Sequence, residues 1–149
     1  MTTYAFSAQT YVDRPAAEVW DYVADYANDP AWRRGVTKMV PAPAGPAAEG
    51  TVTDEVMRLA GSTYRNLGVV TRVVPRQSFA WRTTEGADAH GSRTVTRLED
   101  GGALVTLELT VTLHGLQRLA APLLRRNLTG DAERLRQALS GRRDGAARA

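Results

Sequence analysis

The feature that most limits what this chain can become is its last long apolar pattern, residues 116–139. Leu116, Leu119, Leu123, Leu124, Leu128, Ala132, Leu135 and Leu139 recur at steps of three and four, with one adjacent doublet. That spacing lines one side of a helix with apolar groups. Arg118, Arg125, Arg126, Arg134 and Arg136 occupy the other side. A continuous helix of this length measures roughly 36 Å at 1.5 Å per residue. One apolar stripe that long needs a wide partner. Pro122 falls inside the span and removes a backbone hydrogen bond, which predicts a kink or a restart there.

The partner is a sheet. Residues 4–12 alternate loosely and lead into Asp13-Arg14-Pro15, a helix start. Ala16, Val19, Trp20, Val23, Ala24 and Ala27 then repeat at helical spacing, with Trp20 on the buried side. Asn28-Asp29-Pro30 restarts the pattern: Asp29 caps, Pro30 opens, and Gly35 closes a short helix carrying Trp32. The series Asp21, Asp25 and Asp29 is read as helix surface and cap. Residues 36–40 read as a strand. Three prolines in residues 41–46 make a loop. Further strands are predicted over 51–59, 62–74, 78–84, 90–98 and 104–113. The last is the clearest, with Val105, Leu107, Leu109, Val111 and Leu113 alternating with Thr106, Glu108, Thr110 and Thr112. Strands in a run, with helices segregated, mean an α+β fold. We expect a curved antiparallel sheet of about six or seven strands wrapped around the C-terminal helix, with two short helices between strands 1 and 2.

A chain of 149 residues is expected to form one domain, residues 1–141, followed by a disordered basic tail, residues 142–149. There is no cysteine, so no disulfide framework and no thiolate metal site. No apolar run reaches the length of a membrane span, and the first residues lack a signal-peptide core, so a cytoplasmic protein without membrane insertion is expected. The net charge is only +3, and the arginines alternate with apolar residues rather than forming a stripe. Nucleic-acid binding is therefore not expected. Gly-rich phosphate loops, G-x-S-x-G and H-E-x-x-H are all absent. His90 and His114 are the only histidines, so no metal site and no cofactor are expected.

The stretches DRPAAEVWDYVADYANDPAWRRGV and LAAPLLRRNLTGDAERLRQAL stand at front and back, with a V-V-P-R strand end and a Gly-Gly hairpin between them. In that order they resemble the SRPBCC superfamily, the START and Bet v 1-like helix-grip fold, and most closely its polyketide cyclase/dehydrase-like branch. The resemblance spans nearly the whole chain. It implies a cup whose sheet wraps the C-terminal helix, with a cavity for a hydrophobic small molecule. A bent sheet cannot pack flush on a straight helix everywhere, so physical reasoning also leaves a gap, filled by side chains or by a ligand. The alternative is a cup filled entirely by Trp20, Trp32, Phe79, Trp81 and the leucines.

Candidate site residues follow from register. If Ala60-Gly61 is a two-residue loop, Leu59 faces Ser62, Met57 faces Tyr64 and Glu55 faces Asn66. A three-residue loop would instead pair Glu55 with Arg65 on the surface. The first register is preferred. Gly68 is expected to bulge, leaving Val69, Thr71 and Val73 inward. On the strand from His90, Arg93 and Arg97 are assigned to the outer face, which puts His90, Ser92, Thr94 and Thr96 inside. The expected polar set is Glu55, Tyr64, Asn66, His90, Thr94 and Thr96. The expected apolar walls are Trp32, Met57, Trp81, Leu107, Leu109, Leu119 and Leu123.

Three functions fit these expectations. A binding module would hold a polyketide, lipid or isoprenoid. A cyclase or dehydratase, as the resemblance implies, would use His90 or Glu55 as catalytic base, with Tyr64 and Asn66 as donors to an enolate and no metal or organic cofactor. The segment Trp32-Arg33-Arg34-Gly35 departs from the longer aromatic-and-acidic motif of aromatic cyclases. A lipid or quinone carrier or co-chaperone-like interaction module is the third, and it would need an exposed apolar patch. Monomer and homodimer both remain open.

Overall fold

The computed structural model describes residues 1–148, with side chains through residue 141. The expected tail, residues 142–149, lies outside the residues described in full. Seven strands form one antiparallel sheet: β1 (Thr2–Val12), β2 (Val36–Ala42), β3 (Val52–Leu59), β4 (Ser62–Val74), β5 (Ser78–Glu85), β6 (Asp88–Arg97) and β7 (Ala103–Leu113). Their order is β1-β7-β6-β5-β4-β3-β2. Helices α1 (Ala16–Val23) and α2 (Asp29–Trp32) fill the connection between β1 and β2, with a 3-10 turn at Tyr26–Asn28. A second 3-10 turn at Gly115–Ala120 leads into α3 (Ala121–Arg148). The sheet curls around α3, which is the helix-grip arrangement.

Local chemistry explains the element ends. Pro122 opens α3 instead of kinking it, because the second position of a helix has no intrahelical use for the missing N–H. Residues 115–120 wind at a different period, so the stripe shifts phase and Leu116 and Leu119 face water at 85% and 79% exposure. Pro41 belongs to β2 rather than to the following loop, which an edge strand tolerates. Ala60 and Gly61 both take positive φ, 51° and 81°, the geometry of a tight hairpin loop. Leu59 therefore faces Ser62, Met57 faces Tyr64 and Glu55 faces Asn66. Beyond the hairpin, β4 slips against β5 at Leu67/Gly68 and again between Val70 and Arg72. The inward residues are consequently Asn66, Gly68 and Val70, with Val73 after the second slip; the expected inward Val69 and Thr71 are not.

The assignment of β6 faces is also corrected. Pairing with β7 sets Val95 opposite Val105, Arg93 opposite Leu107 and Gly91 opposite Leu109, so these residues share the core face. His90, Ser92, Thr94 and Thr96 fall on the other face. Arg93 is buried, and Asp29 is the fully buried first residue of α2 rather than its cap at the surface, a position taken by Asn28. The Arg93 guanidinium donates to both Asp29 oxygens, at 2.9 and 2.7 Å, and to the Val23 carbonyl at 3.1 Å. The Tyr26, Trp32 and Phe79 rings stand 4.7, 4.9 and 5.5 Å from it. A charge taken from water this completely persists only when paired and fully hydrogen-bonded, and arginine's planar fork suits both the carboxylate and the ring faces. Around this pair lies the main core: Val12, Val19, Trp20, Val23, Phe79 and Val105 with Ala132, Leu135 and Leu139 of α3.

The pair gives a direct prediction. Arg93→Ala leaves Asp29 buried with one guanidinium in place of two and should cost about 3–5 kcal/mol in urea unfolding. The double variant Asp29→Asn/Arg93→Met, which removes both charges, should recover part of that loss. A double variant no more stable than the single would show that the charges themselves are not the issue.

Candidate functional site

Between the sheet and α3 the core is not solid. A cavity of about 170 Å³ remains, lined by Tyr26, Trp32, Met57, Trp81, Leu107 and Leu109 on one side and Leu124 and Leu128 of α3 on the other. Close backbone approach shapes it at Gly91. A Cβ there would collide with the Glu108 carbonyl and stand 2.7 Å from the Trp81 ring, so the absent side chain lets that indole lie against β6. The Trp32 Nε1–H is buried and has no hydrogen-bond partner among the described residues. An unmade buried bond of this kind costs about 1–3 kcal/mol.

One wall of the cavity is polar and connected. Arg33 donates from Nη1 to Glu55 at 2.6 Å and to Asp29 at 3.0 Å. Asn66, opposite Glu55 in the hairpin, donates to its other oxygen at 3.1 Å. The Asn66 carbonyl oxygen accepts the Ala87 backbone N–H at 2.9 Å, tying the cluster to the β5–β6 turn. Burial works against the Arg33 charge, but the neighbouring Glu55 and Asp29 outweigh it and hold the guanidinium's pKa above its ordinary value. Burial also pushes the Tyr26 phenol upward, against the pull of Arg93, so this ring meets the cavity as a neutral hydroxyl. On α3, Asp131 accepts from the Arg34 backbone N–H at 2.8 Å and from the Arg134 side chain. Burial nonetheless raises the Asp131 pKa, with those two donors only partly opposing it.

The structure brings together seven of the residues singled out in the sequence: Trp32, Glu55, Met57, Asn66, Trp81, Leu107 and Leu109 all line the cavity. It separates the others. His90, Thr94 and Thr96 lie on the outer face of β6, because the buried Arg93 reverses the assumed parity. Tyr64 is 47% exposed, near the turn of the β3–β4 hairpin. Leu119 is exposed and Leu123 lies off the cavity; the phase shift at Pro122 puts Leu124 and Leu128 in their place. Residues that sequence reasoning missed include Arg33, Asn127 and Asp131. Arg33 stands four residues after Asp29, a pairing distance on a helix. Asn127 and Asp131 are polar interruptions of the apolar stripe. Among the described residues, no group of three or more His, Asp or Glu side chains could hold a metal ion, and no helix is long and apolar enough to cross a membrane.

Two outcomes are expected. Gly91→Ala should force β6 and Trp81 apart, lowering stability by about 1–3 kcal/mol and shifting tryptophan emission; an unchanged spectrum would contradict the close approach. Asp131, with its raised folded pKa, binds its proton more tightly folded than unfolded. Its contribution to stability is present below the ordinary carboxylate range and lost as pH rises through the raised value. Subtracting the pH profile of Asp131→Asn from that of the wild type should leave a stability term that falls with pH over that window, read from urea midpoints.

Comparison with known proteins places this geometry. The chain superposes on the Zhui aromatase/cyclase from Streptomyces sp. R1128 with a TM-score of 0.80 at 14% identity, covering 95% of this chain and 96% of that one. It superposes on TTHA0849 from Thermus thermophilus with a TM-score of 0.78 at 19% identity, covering 93% and 98%. A START superfamily protein from Mycobacterium smegmatis gives 0.71 at 15% identity, covering 93% and 95%. At these identities the likeness establishes the fold. No curated protein sequence matches the chain. Residues 3–140 match the family described as polyketide cyclase / dehydrase and lipid transport, and the chain belongs to that family.

Proposed function

We propose that the cup binds a hydrophobic small molecule of polyketide, lipid or isoprenoid type. Its apolar part lies against Trp81, Leu107, Leu124 and Leu128, and a polar group faces the Arg33–Glu55–Asn66 wall. The observation that carries this reading is an apolar cavity of about 170 Å³ with one connected polar wall inside an otherwise filled core. Volume decides how much ligand enters. An apolar cavity of about 150 Å³ takes a benzene-sized molecule, so this one takes a ring or a short chain rather than a large polycycle. Burying that group contributes roughly 25 cal/mol per Å² of apolar area, and the polar wall fixes its orientation. Membership of the family and the fold shared with an aromatase/cyclase both fit.

A second reading, cyclase or dehydratase, is favoured by the position of Glu55 on the cavity wall. Glu55 would be the catalytic base for an acidic α-proton, and Arg33 and Asn66 the donors to the resulting enolate oxygen. Each Glu55 oxygen accepts one bond, from Arg33 and from Asn66, which leaves a second lone pair on each to take the proton. His90 has no part in this mechanism from the outer face of β6.

Isothermal titration with 2-naphthol tests the first reading. One molecule per chain should bind, and Leu124→Trp, which fills the cavity, should weaken binding by at least about tenfold. Binding unaffected by the filled cavity would move the ligand elsewhere. For the second reading, a synthetic poly-β-ketone thioester should cyclise faster with the wild type than in buffer. Glu55→Gln should remove the acceleration while still binding 2-naphthol. No acceleration by the wild type would leave binding alone.

A further inference from the structure

A second pocket opens where β1 meets the start of α3. Its volume is about 700 Å³, four times that of the cup, and its walls are of a different kind. Arg34, Arg125, Arg126 and Arg134 line it with the rings of Tyr4 and Phe6, and among the described residues no acidic side chain does. Tyr4 and Phe6 stack at 6.0 Å, and the Arg125 guanidinium stands 5.3 Å from the Phe6 ring. Arg134 is engaged by Asp131 and the Trp32 carbonyl. Arg34, Arg125 and Arg126 have no carboxylate partner among the described residues. Three guanidinium groups converging without a counter-charge repel one another, and an anion between them removes that repulsion.

The two spaces share a wall. Arg34 and Asn127 line both the apolar cup and this basic pocket. The cup admits only a ring or a short chain, and a larger ligand that reaches from the cup to the basic pocket extends past these two residues.

We propose that the ligand is an anionic amphiphile whose apolar end enters the cup and whose carboxylate or phosphate lies in the basic pocket against Arg125, Arg126 and Arg34. This rests on the reading of the cup as a hydrophobic site and names the class of molecule it takes. The aromatic rings of Tyr4 and Phe6 cover the segment between head and tail. Attraction of the head group is electrostatic and partly exposed, so it weakens as salt is added.

The test uses three probes with one apolar body: 2-naphthol, 2-naphthoate and 2-naphthyl phosphate, titrated calorimetrically at low and raised salt. The two anions should bind about tenfold or more tighter than the neutral probe, a gain expected for charge-assisted hydrogen bonds, and the gain should shrink in salt. Arg125→Gln/Arg126→Gln should erase the gain and leave 2-naphthol binding unchanged. Arg125→Lys/Arg126→Lys should keep most of it. Both residues are exposed, so unchanged urea midpoints should show the variants folded. Tighter binding of the phosphate than of the carboxylate would assign a phosphorylated head group, and equal binding a carboxylate. Three probes binding alike, or an anion gain that survives the glutamine variant, overturns the proposal while the cup reading stands. If no probe binds, the cup reading itself fails.

Discussion

A guanidinium without water around it fixes the relation between the front helices and the sheet. Arg93 rises from the middle of β6 and α2 delivers Asp29 onto it, so two elements far apart in the chain are pinned at one point. Neither charge could stay there alone, since an unpaired buried ion is far costlier than any local propensity can offset. The rings of Tyr26, Trp32 and Phe79 pack on the same group. The most buried charge and the densest aromatic packing therefore coincide.

From that point a chain of bonds runs along one side of the cup. Asp29 also accepts from Arg33, Arg33 reaches Glu55, Glu55 accepts from Asn66, and Asn66 accepts from the β5–β6 turn. Each carboxylate has two partners and each donor a fixed place, so the polar wall is positioned by the fold before any ligand arrives. Such preorganisation separates a binding surface from a collection of buried polar groups, because the ordering is complete when the molecule enters.

The architecture was legible because it rests on periodicity and turn chemistry. Alternation in residues 104–113 and the Ala60-Gly61 dipeptide set registers that the structure reproduces, Glu55 opposite Asn66 among them. The β6 face was not legible for a reason of physics rather than of pattern. Arginine is assigned to solvent by default, and that rule placed Arg93 outside and His90, Thr94 and Thr96 within. The core-facing alternation of Ala89, Gly91 and Val95 carried the opposite message, but only the remote Asp29 makes a buried arginine tolerable, and no local window contains both. The phase of α3 was legible only in part. A kink or a restart at Pro122 was expected and the structure shows the restart, but the leucine stripe looks continuous through Leu116 and Leu119, and the restart changes which residues share a face.

That restart bears on why there is room inside at all. Had the helix run unbroken from residue 116, its leucines would have continued the stripe along the sheet. Instead residues 115–120 wind in a tighter turn, the leucines there swing outward, and α3 meets the sheet with Leu124 and Leu128. Meanwhile Gly68 adds no side chain to the cavity lining. A cup roofed by a helix that starts late is under-filled by construction, and an apolar void forfeits dispersion contacts that close packing would supply. A fold that keeps such a void, with a rigid polar wall beside it, is stabilised by whatever enters.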